Sequence, residues 1–221
     1  PERSRSTNQR TERTMPEQIA EPILCFKADE HAFMSNFYLV PGGVTLHGTT
    51  APSSEHHYAA AKTTDPVWRD AVLACDTPGR AMWLGKKAPE RPDWAEIRIP
   101  SMAAILAAKF SVTEMAEQLI ATDDALLVEG NWHGDTFFGV NARPGKRCGQ
   151  GDNWLGTLLM AQRDLLTGRK DRPLRGTSEL IEAAFIANPP KPPTKRPRIP
   201  KHGPSLPPRR PTRSPQEEAQ P

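Results

Sequence analysis

The chain has 221 residues, of which 37% are hydrophobic and 25% charged, with a formal net charge of +3, 24 prolines and three cysteines. No apolar run approaches the roughly 20 residues that a bilayer span needs, so a membrane-spanning role is excluded at the level of helices. Cys25, Cys75 and Cys148 are odd in number and far apart, with no Cys-x-x-Cys pair, which argues against a disulfide ladder or a cysteine metal site and for a reduced, cytoplasmic setting.

Charge and proline are unevenly spread. Residues 189–221 hold twelve of the 24 prolines and eight of the 29 Lys and Arg but two of the 26 acids, so this segment carries +6 and the rest of the chain −3. The expected layout is a disordered arm over 1–21, a compact domain over 22–168, a partly helical extension over 169–188 and a disordered Pro-rich basic tail over 189–221. Such a tail suits salt-dependent, sequence-blind attraction to nucleic-acid phosphates, although no aromatic residues interleave with its cations to stack on bases.

In chain order, Ile23-Leu24-Cys25-Phe26 has strand character and opens the domain. Asn36 stands among aromatics, where it either offers its amide to a ligand beside a stacking Phe37 or Tyr38, or serves as a turn residue next to core rings. Val44 to His47 predicts a second short strand, released by Gly48. Pro52-Ser53-Ser54 predicts a helix start with a serine hydroxyl as cap, and the Ala-rich run behind it sustains the helix. Asp65-Pro66 and Thr77-Pro78 repeat one device, a capping side chain followed by proline at the first helical position, with Gly85 as the second stop.

Farther on, a helical stretch after Asp93-Trp94 is expected to be interrupted by Pro100 and to resume from Ser101 to Phe110, and Val112 to Ala121 predicts another amphipathic helix. Leu126 to Glu129 predicts a buried strand that delivers the chain to a Gly- and aromatic-rich loop containing Asp135. Residues 141–152 read as loop, and Asn153 as the cap of a last helix, Trp154 to Leu166, whose stripe Leu155, Leu158, Leu159, Gln162, Leu165 and Leu166 predicts core packing.

Chemistry concentrates at Ser53 to Lys62. Glu55 falls in the first turn and Lys62 seven residues on, so both face one side about 10 Å apart along the axis, too far for a direct salt bridge and suited to two ends of one ligand. His56 and His57 are adjacent and form no His-Glu-x-x-His pattern, so a zinc site is unsupported. Arg80, Lys86 and Lys87 are cations able to meet a phosphate, with a solvated face as the alternative.

These residues carry a resemblance. Met34-Ser35-Asn36-Phe37, Ser54-Glu55-His56 with Lys62, Pro78 to Gly85, Asp93-Trp94, Met102 with Lys109-Phe110, Leu127-Val128-Glu129, Asp135 with Phe138-Gly139, and Gly151 to Met160 follow in order, and the stretch from about Ile23 to Leu166 resembles the NADAR, or YbiA-like, superfamily of N-glycosidases. The resemblance implies a compact, mostly helical α+β domain with a few short strands, flanked by disordered tails, and a hydrolase of N-glycosyl bonds that uses neither metal nor cofactor. Three departures stand out: Phe138-Gly139 where the family has Trp-Gly, one more residue between Glu129 and Asp135, and Pro100 inside a helix that is commonly unbroken.

Breaking a C–N glycosidic bond builds positive charge on the sugar, so the site needs a carboxylate near the ring, an activated water and help for the departing nitrogen. The resemblance matches Glu55 to the family's Ser-Glu-His glutamate and Asp135 to its second acidic residue; one handles water while the other steadies the cation, in an order the sequence leaves open. Asp93 is a spare carboxylate. Lys62 either holds a phosphate or, as an amine with lowered pKa, forms a Schiff base with a ring-opened ribose, which leaves the phosphate to Arg80. Trp94, Phe37 and Phe138 would cover the base or ribose, while Asn36 and Asn153 would bond ribose hydroxyls; for Trp94 a core role and for Asn153 a capping role are equal alternatives. Two substrate classes follow from the family, phosphoribosylated aminopyrimidines of the early riboflavin pathway and ADP-ribosylated guanine. The Phe138 departure also fits a sensor that binds ADP-ribose or related nucleotides without turnover.

Overall fold

The structure is a computed structural model that describes residues 20–26, 29–169 and 178–188. The expected arm, apart from its last two residues, and the Pro-rich basic tail lie outside the described residues. Strand β1 (Ile23–Leu24) pairs in parallel with β4 (Leu127–Val128), Ile23 opposite Leu127 and Leu24 opposite Val128. A parallel pair cannot be closed by a tight turn. The crossover holds a 3-10 turn over Asp29–Met34, a hairpin of β2 (Val44–Leu46) and β3 (Thr49–Ala51), and five helices: α1 (Ser54–Ala61), α2 (Pro66–Leu73), α3 (Pro78–Gly85), α4 (Trp94–Lys109) and α5 (Thr113–Ile120). A second parallel pair, β5 (Gly130–Asn131) with β6 (Val140–Asn141), precedes α6 (Trp154–Thr167) and α7 (Ser178–Ala187). The result is a mostly helical α+β fold with short strands.

The hairpin is tighter than the sequence suggests. His47 and Gly48 both take positive φ, 50° and 76°, the pair of values that lets a two-residue loop follow the twist of its strands, so β3 pairs back on β2 where a simple release was expected. Helices α2 and α3 start as expected: Asp65 Oδ1 accepts the Val67 N–H at 2.9 Å, Thr77 Oγ1 accepts the Arg80 N–H at 3.3 Å, and a proline follows each. Gly85 ends α3, and a side chain there would meet the Cβ and carbonyl oxygen of Ala59 at 2.9 Å, so its smallness lets α3 press against α1.

Three expectations are corrected. Ser53 is the N-terminal flank of α1 but caps no N–H; its hydroxyl turns 2.8 Å to His56 Nδ1. Pro100 does not interrupt α4, which runs for 16 residues. Both Pro100 and Glu96, the residue whose carbonyl it cannot serve, are exposed, so water can satisfy the missing bond while Met102, Ile105 and Leu106 stay buried. Leu165 is 75% exposed rather than core. Arg163 takes a place on the buried face of α6 instead, donating through Nη1 to Thr122 Oγ1 at 2.7 Å and through Nη2 to the Ala125 carbonyl at 3.1 Å.

The main core gathers the buried sides of α4, α5 and α6 around Phe26, Phe33, Met102, Leu106 and Leu159, each such burial contributing about 1.5–3 kcal/mol. A second cluster joins α1, α2 and α3 through Ala59, Val72 and Leu84. On the far side of the strands, Ile181 and Phe185 of α7 pack on Val128 and Val140. Among the described residues no helix is long and apolar enough to cross a membrane.

Candidate functional site

The site forms where α1, α4 and the loop after β5 meet. Glu55 lies in the first turn of α1, and its N–H donates to the Asn36 carbonyl at 2.9 Å, tying the helix head to the turn before β2. The glutamate is 6% exposed. Burial disfavours its charged form and pushes its pKa up to about 7, against the pull of the Lys62 and Lys86 ammonium groups, with Asp135 adding to the rise. The neighbouring histidines are structural. His56 Nε2 donates to the Cys75 carbonyl at 3.1 Å, which leaves Nδ1 to accept from Ser53, and His57 Nε2 donates to the Val44 carbonyl at 2.8 Å. Burial lowers both of their pKa values.

Lys62 caps the C-terminus of α1. Its Nζ stands 5.1 Å from the Tyr58 ring centroid and 5.9 Å from that of Trp94, and among the described residues no ion pair joins it to Glu55. Burial lowers its pKa, opposed by Glu55 and seconded by Lys86. Behind it the rings form a continuous chain: Trp94 to Tyr58 at 5.1 Å, Tyr58 to Phe138 at 5.2 Å edge-on, and Phe138 to Phe137 at 4.9 Å edge-on. At the other end the guanidinium carbon of Arg98 lies 3.4 Å from the Phe137 centroid. Tyr58 is held well above the usual phenol range, first by burial and then by Glu55 and Asp135.

Asp135 is presented by a loop that Asn131 builds. Asn131 Oδ1 accepts the N–H groups of His133, Gly134 and Asp135 at 3.2, 2.9 and 3.0 Å, and its Nδ2 donates to the carbonyls of Asp135 and Val140. Asp135 Oδ1 then accepts from Phe137 N at 3.0 Å and Phe138 N at 3.1 Å. The same carboxylate bears on Glu55, Tyr58 and Lys62, so the two acids, 80 positions apart, share one electrostatic neighbourhood. Beside this loop an open depression of about 420 Å³ is lined by Thr136, Phe137, Gln150, Gly151 and Asp152.

The other expected residues divide. Asn36 joins the site through its carbonyl, and its Oδ1 is buried without a hydrogen-bond partner. Phe37 follows it and is 44% exposed, while Trp94 and Phe138 are buried within the ring chain. Arg80 is drawn away, its Nε 3.2 Å from Asp76 Oδ1 and its charge felt by Cys75. Asp93 is no spare acid, since Arg91 grips it through Nε–Oδ1 at 2.6 Å and Nη2–Oδ2 at 2.9 Å. Asn153 neither caps α6 nor stands open to a ribose: at 1% exposure its Oδ1 accepts the Glu129 N–H and its Nδ2 donates to the Leu127 carbonyl, both at 2.9 Å.

A family model described as the NADAR domain matches residues 25–167. The chain belongs to the NADAR family. It is 38% identical over 152 residues to a riboflavin biosynthesis protein of Vibrio vulnificus (strain YJ016), covering 67% of this chain and 39% of that one. It is 32% identical over 146 residues to N-glycosidase YbiA of Escherichia coli (strain K12), covering 65% of this chain and 86% of the relative. The NMR structure of E. coli YbiA superposes with a TM-score of 0.59 at 28% identity, over 76% of this chain and 97% of the other.

Within this NADAR domain, several residues reach the site that sequence reasoning did not assign to it. Tyr58 falls one helical turn after Glu55 and one before Lys62, a spacing that was readable. Lys86, at the C-terminal flank of α3, is by contrast among the three cations the sequence offers to a phosphate, and it is the one of them that acts on Glu55 and Lys62, in place of Arg80. Arg98 follows Trp94 by one turn of α4, and Asn131 shapes the Asp135 loop; neither carries a local signal that separates it from a surface arginine or a turn asparagine.

Proposed function

We propose that this NADAR domain is an N-glycosidase that hydrolyses the C–N bond between a phosphoribosyl or ADP-ribosyl group and an amino group of a pyrimidine or purine base. The observation that carries the reading is the buried Glu55 carboxyl, raised to about 7 and held in the combined field of Lys62, Lys86 and Asp135. A carboxyl with a pKa near the working pH exchanges a proton readily with water or with a departing nitrogen. Asp135 supplies the second negative charge for the developing oxocarbenium ion, and Lys62, an amine lowered by burial, is suited either to a phosphate or to attack on an opened ribose. The names of the relatives, N-glycosidase and riboflavin biosynthesis protein, support the same chemistry.

A mass-spectrometric turnover panel tests it. Parent protein and the Glu55→Gln variant are offered ribosylaminopyrimidine phosphates and ADP-ribosylated guanine; release of the sugar from either class by the parent and its loss in the variant is expected, and a parent inert on both classes overturns the reading. A second reading rests on Phe138, which is packed edge-on between Tyr58 and Phe137 with 8% exposure. A ring so enclosed offers a base little stacking face, so a base-linked substrate is held less firmly for cleavage, which suits a domain that binds ADP-ribose without turnover. Tight ADP-ribose binding with no turnover in the panel is its signature.

A further inference from the structure

We propose that Arg98, seated on the ring of Phe137, is the residue that receives the phosphate of the ligand; the inference rests on the phosphoribosyl reading of the neighbouring Glu55 site. The guanidinium carbon is 3.4 Å from the Phe137 centroid, the thickness of two flat groups in contact, so the cation lies face to face with the ring. A stacked guanidinium keeps its N–H donors in its own plane, directed outward from the edge. That is the fork geometry that matches an oxyanion.

The edge is unmet. Arg98 Nε is buried with no hydrogen-bond acceptor, and among the described residues no carboxylate forms an ion pair with this arginine. A buried donor without a partner is a deficit that a ligand oxygen removes. Two other arginines of the same helical half are paired with carboxylates, Arg80 with Asp76 and Arg91 with Asp93. Position within the site agrees. Lys62 caps the Trp94–Tyr58 end of the ring chain and Arg98 its Phe137 end, while Glu55 and Asp135 bear on Tyr58 between them. A ligand whose reacting carbon meets Glu55 and Lys62 then has its anionic end drawn to Arg98, beyond the middle ring.

The test is binding of ribose 5-phosphate and of ribose, each titrated into the parent and the Arg98→Ala, Arg98→Gln and Arg98→Lys variants, with melting curves as a check on folding. Expected is a parent preference for ribose 5-phosphate, a loss of about 10-fold or more in that affinity in Arg98→Ala and Arg98→Gln, unchanged ribose binding, and partial recovery in Arg98→Lys. Gln retains a flat amide on Phe137 without the charge, so if Arg98→Ala does not fold the comparison is read on Arg98→Gln. Equal weakening of both ligands, no weakening, or no parent preference for the phosphorylated sugar overturns the proposal. Turnover is measured in parallel: a parent that prefers ribose 5-phosphate through Arg98 yet cleaves neither substrate class sinks the glycosidase reading alone, and a parent whose cleavage and phosphate preference ignore Arg98 sinks the subsite alone.

Discussion

The carbonyl of Asn36 accepts the backbone N–H of Glu55 at 2.9 Å, so the head of α1 and the turn before β2 form one unit and the carboxyl is carried into the interior with its first helical turn. Burial at that position has a consequence independent of activity. A free glutamate titrates near 4.5 and Glu55 near 7, so below about pH 4.5 both folded and unfolded chains hold the proton. As pH rises from there to about 7 the unfolded chain releases it first, and stability falls by about 3 kcal/mol. Glu55→Gln should remove that slope, melting higher than the parent at pH 8 and no higher at pH 4.5, while losing hydrolysis. Matching melting temperatures at pH 8, read by calorimetry, would show that the carboxyl is better solvated than its 6% exposure implies.

Lys62 distinguishes two chemistries. If its amine attacks the opened sugar, borohydride added during turnover reduces the imine and leaves the mass of the ribosyl group on the peptide that contains Lys62; peptide mass spectrometry reads it. Phosphate holding leaves no adduct. Tyr58→Leu removes the ring that carries the cation at 5.1 Å, an interaction worth about 0.5–2 kcal/mol, and is expected to slow either role several-fold. Unchanged kinetics in Tyr58→Leu would separate this ring from the lysine's work.

Asp135 holds its loop and supplies charge with one group, and the two roles separate by substitution. Its Oδ1 accepts from Phe137 N and Phe138 N, a pair of bonds that asparagine reproduces and alanine does not. Asp135→Asn should therefore keep the parent's melting temperature and lose activity, whereas Asp135→Ala should lose about 1–2 kcal/mol as well. An active Asp135→Asn would reduce the residue to a turn former.

What the sequence discloses is what few residues decide. Asp65-Pro66 and Thr77-Pro78 start helices because each cap lies within three positions of the N–H groups it serves and the proline presets the first helical φ, and Glu55 and Lys62 share a face because helical spacing puts them there. Asn153 is misread because its partners, Glu129 and Leu127, lie 24 and 26 residues back, beyond any local pattern. Arg163 displaces Leu165 from the core for the same reason, since the Thr122 and Ala125 oxygens that make an arginine tolerable there belong to another segment. Arg80 follows the opposite path: an available cation by sequence, it is claimed by Asp76 one turn earlier. In each case a distant hydrogen bond or a competing ion pair wins over the propensity.

The Asn153 bonds lead to a further prediction. Removing the amide leaves the Glu129 N–H and the Leu127 carbonyl unpaired beside a residue of 1% exposure, and β4 loses its tie to α6. Asn153→Ala should cost about 2–4 kcal/mol in denaturant unfolding. Asn153→Asp, which keeps the acceptor but buries a charge against the Leu127 carbonyl, should cost at least as much at neutral pH. A ribose ligand would instead show a raised KM with unchanged stability, and that outcome would return Asn153 to the site.

Lys109 carries the last prediction. It is fully buried, its Nζ donates to the Ser35 carbonyl at 2.9 Å, and desolvation lowers its pKa to about 7 against the pull of Glu129. In the unfolded chain the amine titrates near 10.5, so above that pH both states are neutral, and as pH falls towards 7 the unfolded chain takes up the proton first. Stability should therefore decline by about 5 kcal/mol over that interval on this residue's account. Lys109→Met keeps the length of the buried stem and leaves the Ser35 carbonyl without its donor, a loss of about 1–3 kcal/mol that does not vary with pH. Urea midpoints at pH 7 and pH 9.5 should differ in the parent and converge in Lys109→Met. An equal difference in both proteins would mean that the ammonium is already well served in the interior, and that the Ser35 to Asn36 turn is held by a charge rather than burdened by one.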